Sequence, residues 1–169
     1  MNSAYFYDDQ PGAEAPLHKG ASVSSEVLAS LGIQIIPVPQ QGYEARLKAI
    51  AAQRGYPADI DIQAIQSTSA ANEKTWSTEH IFLNEVMWYT LQSNNFVDFR
   101  DLSNNWIRVP LTANTLYITP AGIFNRYISV DKNESALVLS KGQFGFVERK
   151  GTELDNHPVR LNYLNSVGK

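Results

Sequence analysis

Hydrophobic and polar positions are arranged differently in the two parts of the chain, and the change falls near residue 79. From there the period is that of strands. Over residues 79–91 it sends His80, Phe82, Asn84, Val86 and Trp88 to one face, and Ile81, Leu83, Glu85, Met87 and Tyr89 to the other. Short apolar runs follow at 96–100, 106–109, 116–118, 124–130 and 135–139, separated by polar breaks, a Pro120-Ala121-Gly122 turn and an Asp131-Lys132-Asn133 turn. These lengths and breaks predict an antiparallel meander, and closing it would remove its exposed edges. Before residue 79 the pattern is mixed. Tyr5-Phe6-Tyr7 predicts a short edge strand, residues 22–32 a helix capped by Ser22 and stopped by Gly32, and residues 33–38 a β-branched strand ended by Pro39. Tyr43, Leu47, Ile50 and Ala51 form the buried stripe of a helix that Gly55 terminates, residues 59–63 alternate like a strand, and residues 67–78 predict a polar loop with room for a helix. After Phe144, Phe146 and Val147, again at strand spacing, the tail turns polar and is expected to wrap the outside.

Composition narrows the function. The 169 residues carry a formal net charge of -3, only 18% charged side chains and no cysteine, which removes disulfides, thiolate nucleophiles and a polybasic face. No nucleic acid and no membrane partner is expected, and the lack of a basic, apolar leader predicts a cytoplasmic protein. No repeat or linker divides the chain, so one domain over 1–169 is expected. Aromatic residues reach 11%, eight of them tyrosines, enough to pack a core or to line a cavity for a flat organic ligand.

Several stretches in one order carry a resemblance: Tyr5-Phe6-Tyr7-Asp8-Asp9 with Pro16-Leu17-His18, the helix over 23–32, Arg54-Gly55-Tyr56, residues 96–101, Trp106-Ile107-Arg108, and Pro120-Ala121-Gly122-Ile123. Together they resemble the acireductone dioxygenase family of the cupin superfamily over nearly the whole chain. The resemblance implies a mostly β, cupin-type jelly-roll barrel with a few short peripheral helices. In this single cupin domain residues 79–140 would form the barrel core, 1–78 the N-terminal strands and helices, and 141–169 a wrapping segment. It also implies iron or nickel held by three histidines and one glutamate, and oxidation of an acireductone by dioxygen. Laid on this chain, those ligand positions hold His80, Phe82, Val86 and Asn125, so three of the four are replaced. Glu85 lies one residue off and, by strand parity, on the opposite face. An arginine position of the family holds Trp88, and a later one falls in the apolar run 136–139. No metal and no other cofactor is expected.

What remains is a less charged, more aromatic site. His80 is the candidate acid or base and Asn125 the candidate donor to a carbonyl or enolate oxygen, with Phe82, Asn84, Val86, Trp88, Tyr117 and Tyr127 as candidate substrate contacts. Arg126 faces outward by parity, and His18 and His157 are assigned no chemistry. The expected function is a metal-independent cyclase or isomerase acting on a conjugated, largely apolar small molecule, with a homodimer allowed. The alternatives are a non-catalytic cupin binding protein and a metal oxidoreductase with an atypical ligand set. An unfilled cavity of several hundred cubic ångströms would favour an enzyme or a binder, and a filled one a structural role.

Overall fold

The structure is a computed structural model and describes residues 4–8, 19–60, 62–66 and 76–168. It is mostly β and built as two antiparallel sheets. The strands in chain order are β1 (Tyr5–Tyr7), β2 (Lys19–Ser22), β3 (Gln34–Pro37), β4 (Gln63–Gln66), β5 (His80–Phe82), β6 (Val86–Gln92), β7 (Phe96–Arg100), β8 (Trp106–Pro110), β9 (Thr115–Thr119), β10 (Asn125–Ile128), β11 (Ser135–Ser140) and β12 (Phe146–Glu148). The larger sheet runs β12-β5-β10-β7-β8-β1-β2, the smaller β3-β9-β6-β11-β4.

The expected closed jelly-roll barrel is not formed. Each sheet keeps two edge strands, β12 and β2 in one and β3 and β4 in the other. The cause lies in the chain's crossings. The run predicted as one strand over 79–91 breaks at residues 83–85. Its first part pairs with β10 and β12, its second with β9 and β11 in the other sheet. The meander is likewise interrupted, because after the β7–β8 hairpin the chain leaves for the smaller sheet as β9. Strand β1 is also not an edge, since β8 flanks it on one side and β2 on the other. The strand expected at 59–63 begins later, at Gln63.

Helices cover the outside. Ser24, rather than Ser22, caps α1 (Ser25–Ser30), its hydroxyl accepting from the Val27 amide at 3.2 Å. Helix α2 (Tyr43–Gln53) buries Leu47, Ile50 and Ala51 against Met87, Tyr89, Leu116, Ile118 and Leu139 of the smaller sheet. The tail is not merely a polar wrap: a 3₁₀ turn (Glu153–Asn156) leads to α3 (Pro158–Ser166), with Pro158 in the first turn and the His157 ring accepting from the Val159 amide. Helix α3 buries Tyr163, whose hydroxyl donates to the Leu31 carbonyl at 2.7 Å, and burial pushes that phenol up to about 12. It also fixes the turn that leads to Asn125. Gly122 has φ +87°, and a Cβ there would stand 2.6 Å from the Val159 carbonyl oxygen, so only glycine lets the turn seat against the helix. Arg160 donates back to the Gly122 carbonyl at 3.1 Å.

Candidate functional site

The pocket lies between the two sheets, and strand parity decides who lines it. His80 and Phe82 come from β5, Asn125 and Tyr127 from β10, Val86 and Trp88 from β6, and Tyr117 and Thr119 from β9. Seven of the eight candidate residues therefore meet around one space. Asn125 is the cross-strand partner of His80, and Trp88 of Tyr117. The exception is Asn84, which sits in the break between β5 and β6 and donates to the Gln143 carbonyl at 2.9 Å, away from the pocket. A strand would have carried it inward; the crossing between sheets turns it out.

Rings fill most of the volume. Phe82 and Phe146 contact the His80 ring at centroid distances of 5.1 and 5.4 Å, and Trp88, Tyr127 and Trp76 form a second group with spacings of 5.5 to 6.1 Å. The remaining cavity is about 50 Å³. Trp76, Val97, Leu111, Thr119 and Phe146 complete the lining and were not read as site residues from the sequence. Phe146 had the right strand spacing, but its pairing with β5 is non-local. Trp76 stood in a polar stretch with no period to place it.

The polar groups of the pocket are few and neutral. His80 Nδ1 lies 2.7 Å from the Thr78 carbonyl oxygen, which can only accept, so Nδ1 carries the proton and Nε2 keeps its lone pair. Burial pushes His80 below its ordinary 6.5, against the bond to Thr78 and the fields of Glu148 and Glu79. The amide nitrogen of Asn125 donates to the carbonyls of Ile123 at 3.2 Å and His80 at 3.4 Å, so its donors are committed and its oxygen is left as an acceptor. This differs from the donor role expected for Asn125. Tyr127 and Tyr117 contribute their rings, while their hydroxyls turn away, the first accepting from Asn95 and the second donating to the Pro110 carbonyl. Trp88 Nε1 is buried with no partner among the described residues.

Behind the pocket, Asn95 links Tyr127 to Glu134, accepting at its own oxygen from the Val130 and Asp131 amides. Glu134 is a buried carboxyl that sequence reading passed over, because nothing in a turn before a strand marks it as interior. Burial raises it above its ordinary 4.5, against hydrogen bonds from Ser93, Asn95 and Tyr127.

The four positions at which the family resemblance places metal ligands do converge here, and the fit can be tested on their chemistry. Phe82 and Val86 have no lone pair to give, which leaves one imidazole nitrogen and one amide oxygen. Glu85 does not replace the missing carboxylate. It faces outward, accepting from Arg54 Nε at 2.9 Å and from the Tyr56 hydroxyl at 2.8 Å. Among the described residues no group of three or more His, Cys, Asp or Glu could hold a metal ion. The donor set does not fit the family's metal.

Two facing sheets with a pocket between them define a two-sheet, cupin-related fold. A solved acireductone dioxygenase from Bacillus anthracis, with a cadmium ion in its active centre, matches this fold with a TM-score of 0.60 over 83% of this chain and 93% of its own, at 11% sequence identity. By sequence, the acireductone dioxygenase of Neurospora crassa is 30% identical over 169 residues, covering 95% of this chain and 93% of that protein. Acireductone dioxygenase 1 of Coprinopsis cinerea is 28% identical over 98% of this chain and 97% of its own. No protein-family model matches the chain. The chain belongs to the acireductone dioxygenase family.

The expectation of a metal-independent cyclase or isomerase gains no support. The relatives carry the dioxygenase's name, and a space of about 50 Å³ is far short of the several hundred needed to enclose and fold a substrate. Among the described residues no helix is long and apolar enough to cross a membrane.

Proposed function

We propose that this chain takes a small, flat apolar molecule into the aromatic pocket between its sheets, and that its site has exchanged metal coordination for ring packing. The observation that carries this reading is the convergence of His80, Phe82, Val86 and Asn125, the four ligand positions of the resemblance, on one pocket lined mainly by rings. A ring entering it gains apolar burial and edge-to-face contacts, each worth about 0.5–1.5 kcal/mol. The free space is small, so the molecule is of single-ring size and enters by displacing a side chain at the edge, for which half-buried Trp76 is placed.

Kinship with enzymes named acireductone dioxygenases supports an enzymatic use of the same pocket. Their reaction is not carried over, because the donor set does not fit. The feature that favours catalysis is His80, a neutral imidazole with Nδ1 fixed on a carbonyl and Nε2 left as a base.

Calorimetric titration with toluene tests the reading. Saturable binding is expected in the native protein, with a loss of about tenfold or more in Val86→Phe, which places a ring in the free space. Absence of saturable binding by any single-ring probe would overturn it.

A further inference from the structure

We infer that the molecule this pocket selects is a neutral hydroxylated arene of the phenol class, held through its O–H by His80 Nε2. The inference rests on the reading above and deepens it, and it follows from counting donors and acceptors. His80 and Asn125 are each 3% exposed and both belong to the lining. Each has its N–H groups committed to backbone carbonyls: His80 Nδ1 to Thr78, the Asn125 amide to Ile123 and His80. Both therefore turn lone pairs to any occupant. The lining also holds the Trp88 indole, whose buried N–H has no acceptor among the described residues, and the Thr119 hydroxyl, which can play either part.

Ligand classes can be set against that inventory. An anion would meet two acceptors and no cationic side chain, since among the described residues no Lys or Arg lines the pocket. A cation would be desolvated without a carboxylate among the described lining residues to offset it. A ketone or ether would leave His80 Nε2 unmatched and set oxygen lone pairs against it. A hydroxyl on a flat ring answers both needs, because it donates to His80 and its oxygen still accepts. The surrounding rings of Phe82, Phe146, Trp88 and Tyr127 take the arene face or edge.

The test compares phenol, anisole and toluene, which are similar in size, by calorimetric titration of the native protein. Phenol is the best hydrated of the three, so a preference for it requires a partner inside the pocket. Phenol is expected to bind about tenfold more tightly than anisole, and His80→Phe to bring that ratio near one. The Nε2 resonance of His80 should be that of an unprotonated nitrogen in the free protein and should move on adding phenol but not toluene. If His80→Phe does not fold, the native comparison and this resonance decide the matter without it. Anisole binding as well as phenol, or Nε2 found protonated in the free protein, overturns the inference while leaving the apolar pocket intact. Failure of all three probes to bind brings down both readings.

Discussion

Three neighbouring strands of the larger sheet carry two adjacent rows of residues with opposite fates. On the outer face the row is Arg126, Asp98 and Arg108; one position along, on the inner face, it is Asn125, Phe99 and Ile107. The outer row buries a carboxylate and sets two guanidiniums on it. Asp98 accepts from Arg108 at 2.7 and 2.8 Å and from Arg126 at 2.8 Å, and the Arg108 guanidinium lies 3.5 Å from the centre of the Tyr7 ring. The inner row avoids charge: Phe99 and Ile107 pack in the core, and Asn125 borders the pocket with an unused oxygen. Buried polar groups that answer one another hold a fold in a single arrangement, whereas buried polar groups left with lone pairs to spare beside a void are ready for a ligand.

The difference can be broken most severely from the outer row. Asp98→Ala leaves the Arg108 guanidinium, only 2% exposed, without its carboxylate, and should cost about 3–5 kcal/mol in denaturant unfolding. Asn125→Ala, one residue away in register, should cost about 1 kcal/mol by the same measurement. Equal losses would erase the distinction drawn between the two rows.

A smaller and pH-dependent effect belongs to Glu134. Its folded value is raised above 4.5, so the neutral carboxyl suits the fold, and the stability it contributes is present below pH 4.5 and lost as pH rises through the folded value. Glu134→Gln removes the ionisation and should gain on the native protein by about 1 kcal/mol at pH 8 while converging with it near pH 4.5. Unfolding curves at the two pH values check the sign, and a gain confined to low pH would refute it.

The smallest effect is expected at Asn84. Its side chain makes one exposed hydrogen bond outside the pocket, so Asn84→Ala should change stability by less than about 0.5 kcal/mol and leave toluene affinity unchanged. A marked loss of affinity would return Asn84 to the site.

Strand parity and turn chemistry made much of this legible in the sequence. The runs at 96–100, 106–109 and 135–139 emerge as β7, β8 and β11 with ends shifted by no more than a residue, and parity alone separates inward His80, Phe82, Val86 and Trp88 from outward Glu85. The break at 83–85 was not legible, because Leu83-Asn84-Glu85 contains no glycine or proline to announce a crossing. Barrel closure depends on which strands meet across the molecule, and no local pattern reports that. Helix α3 had a start signal in His157-Pro158, but Tyr163 is its sole buried side chain among the described residues, too little to make a visible stripe. The family kinship lay in stretches whose spacing survives, while the donor directions at His80 and Asn125 are set by nearby carbonyls that sequence does not locate.

The crossing at 83–85 also has a mechanical meaning. His80, Phe82 and Asn125 are borne by one sheet, Val86 and Trp88 by the other, so the pocket straddles the seam between them. A metal held by ligands from both sides would rivet that seam. Rings instead make it a compliant joint with a small void, which pressure should compress and a seated arene should stiffen. Occupancy would then be felt as the rigidity with which the two sheets move together.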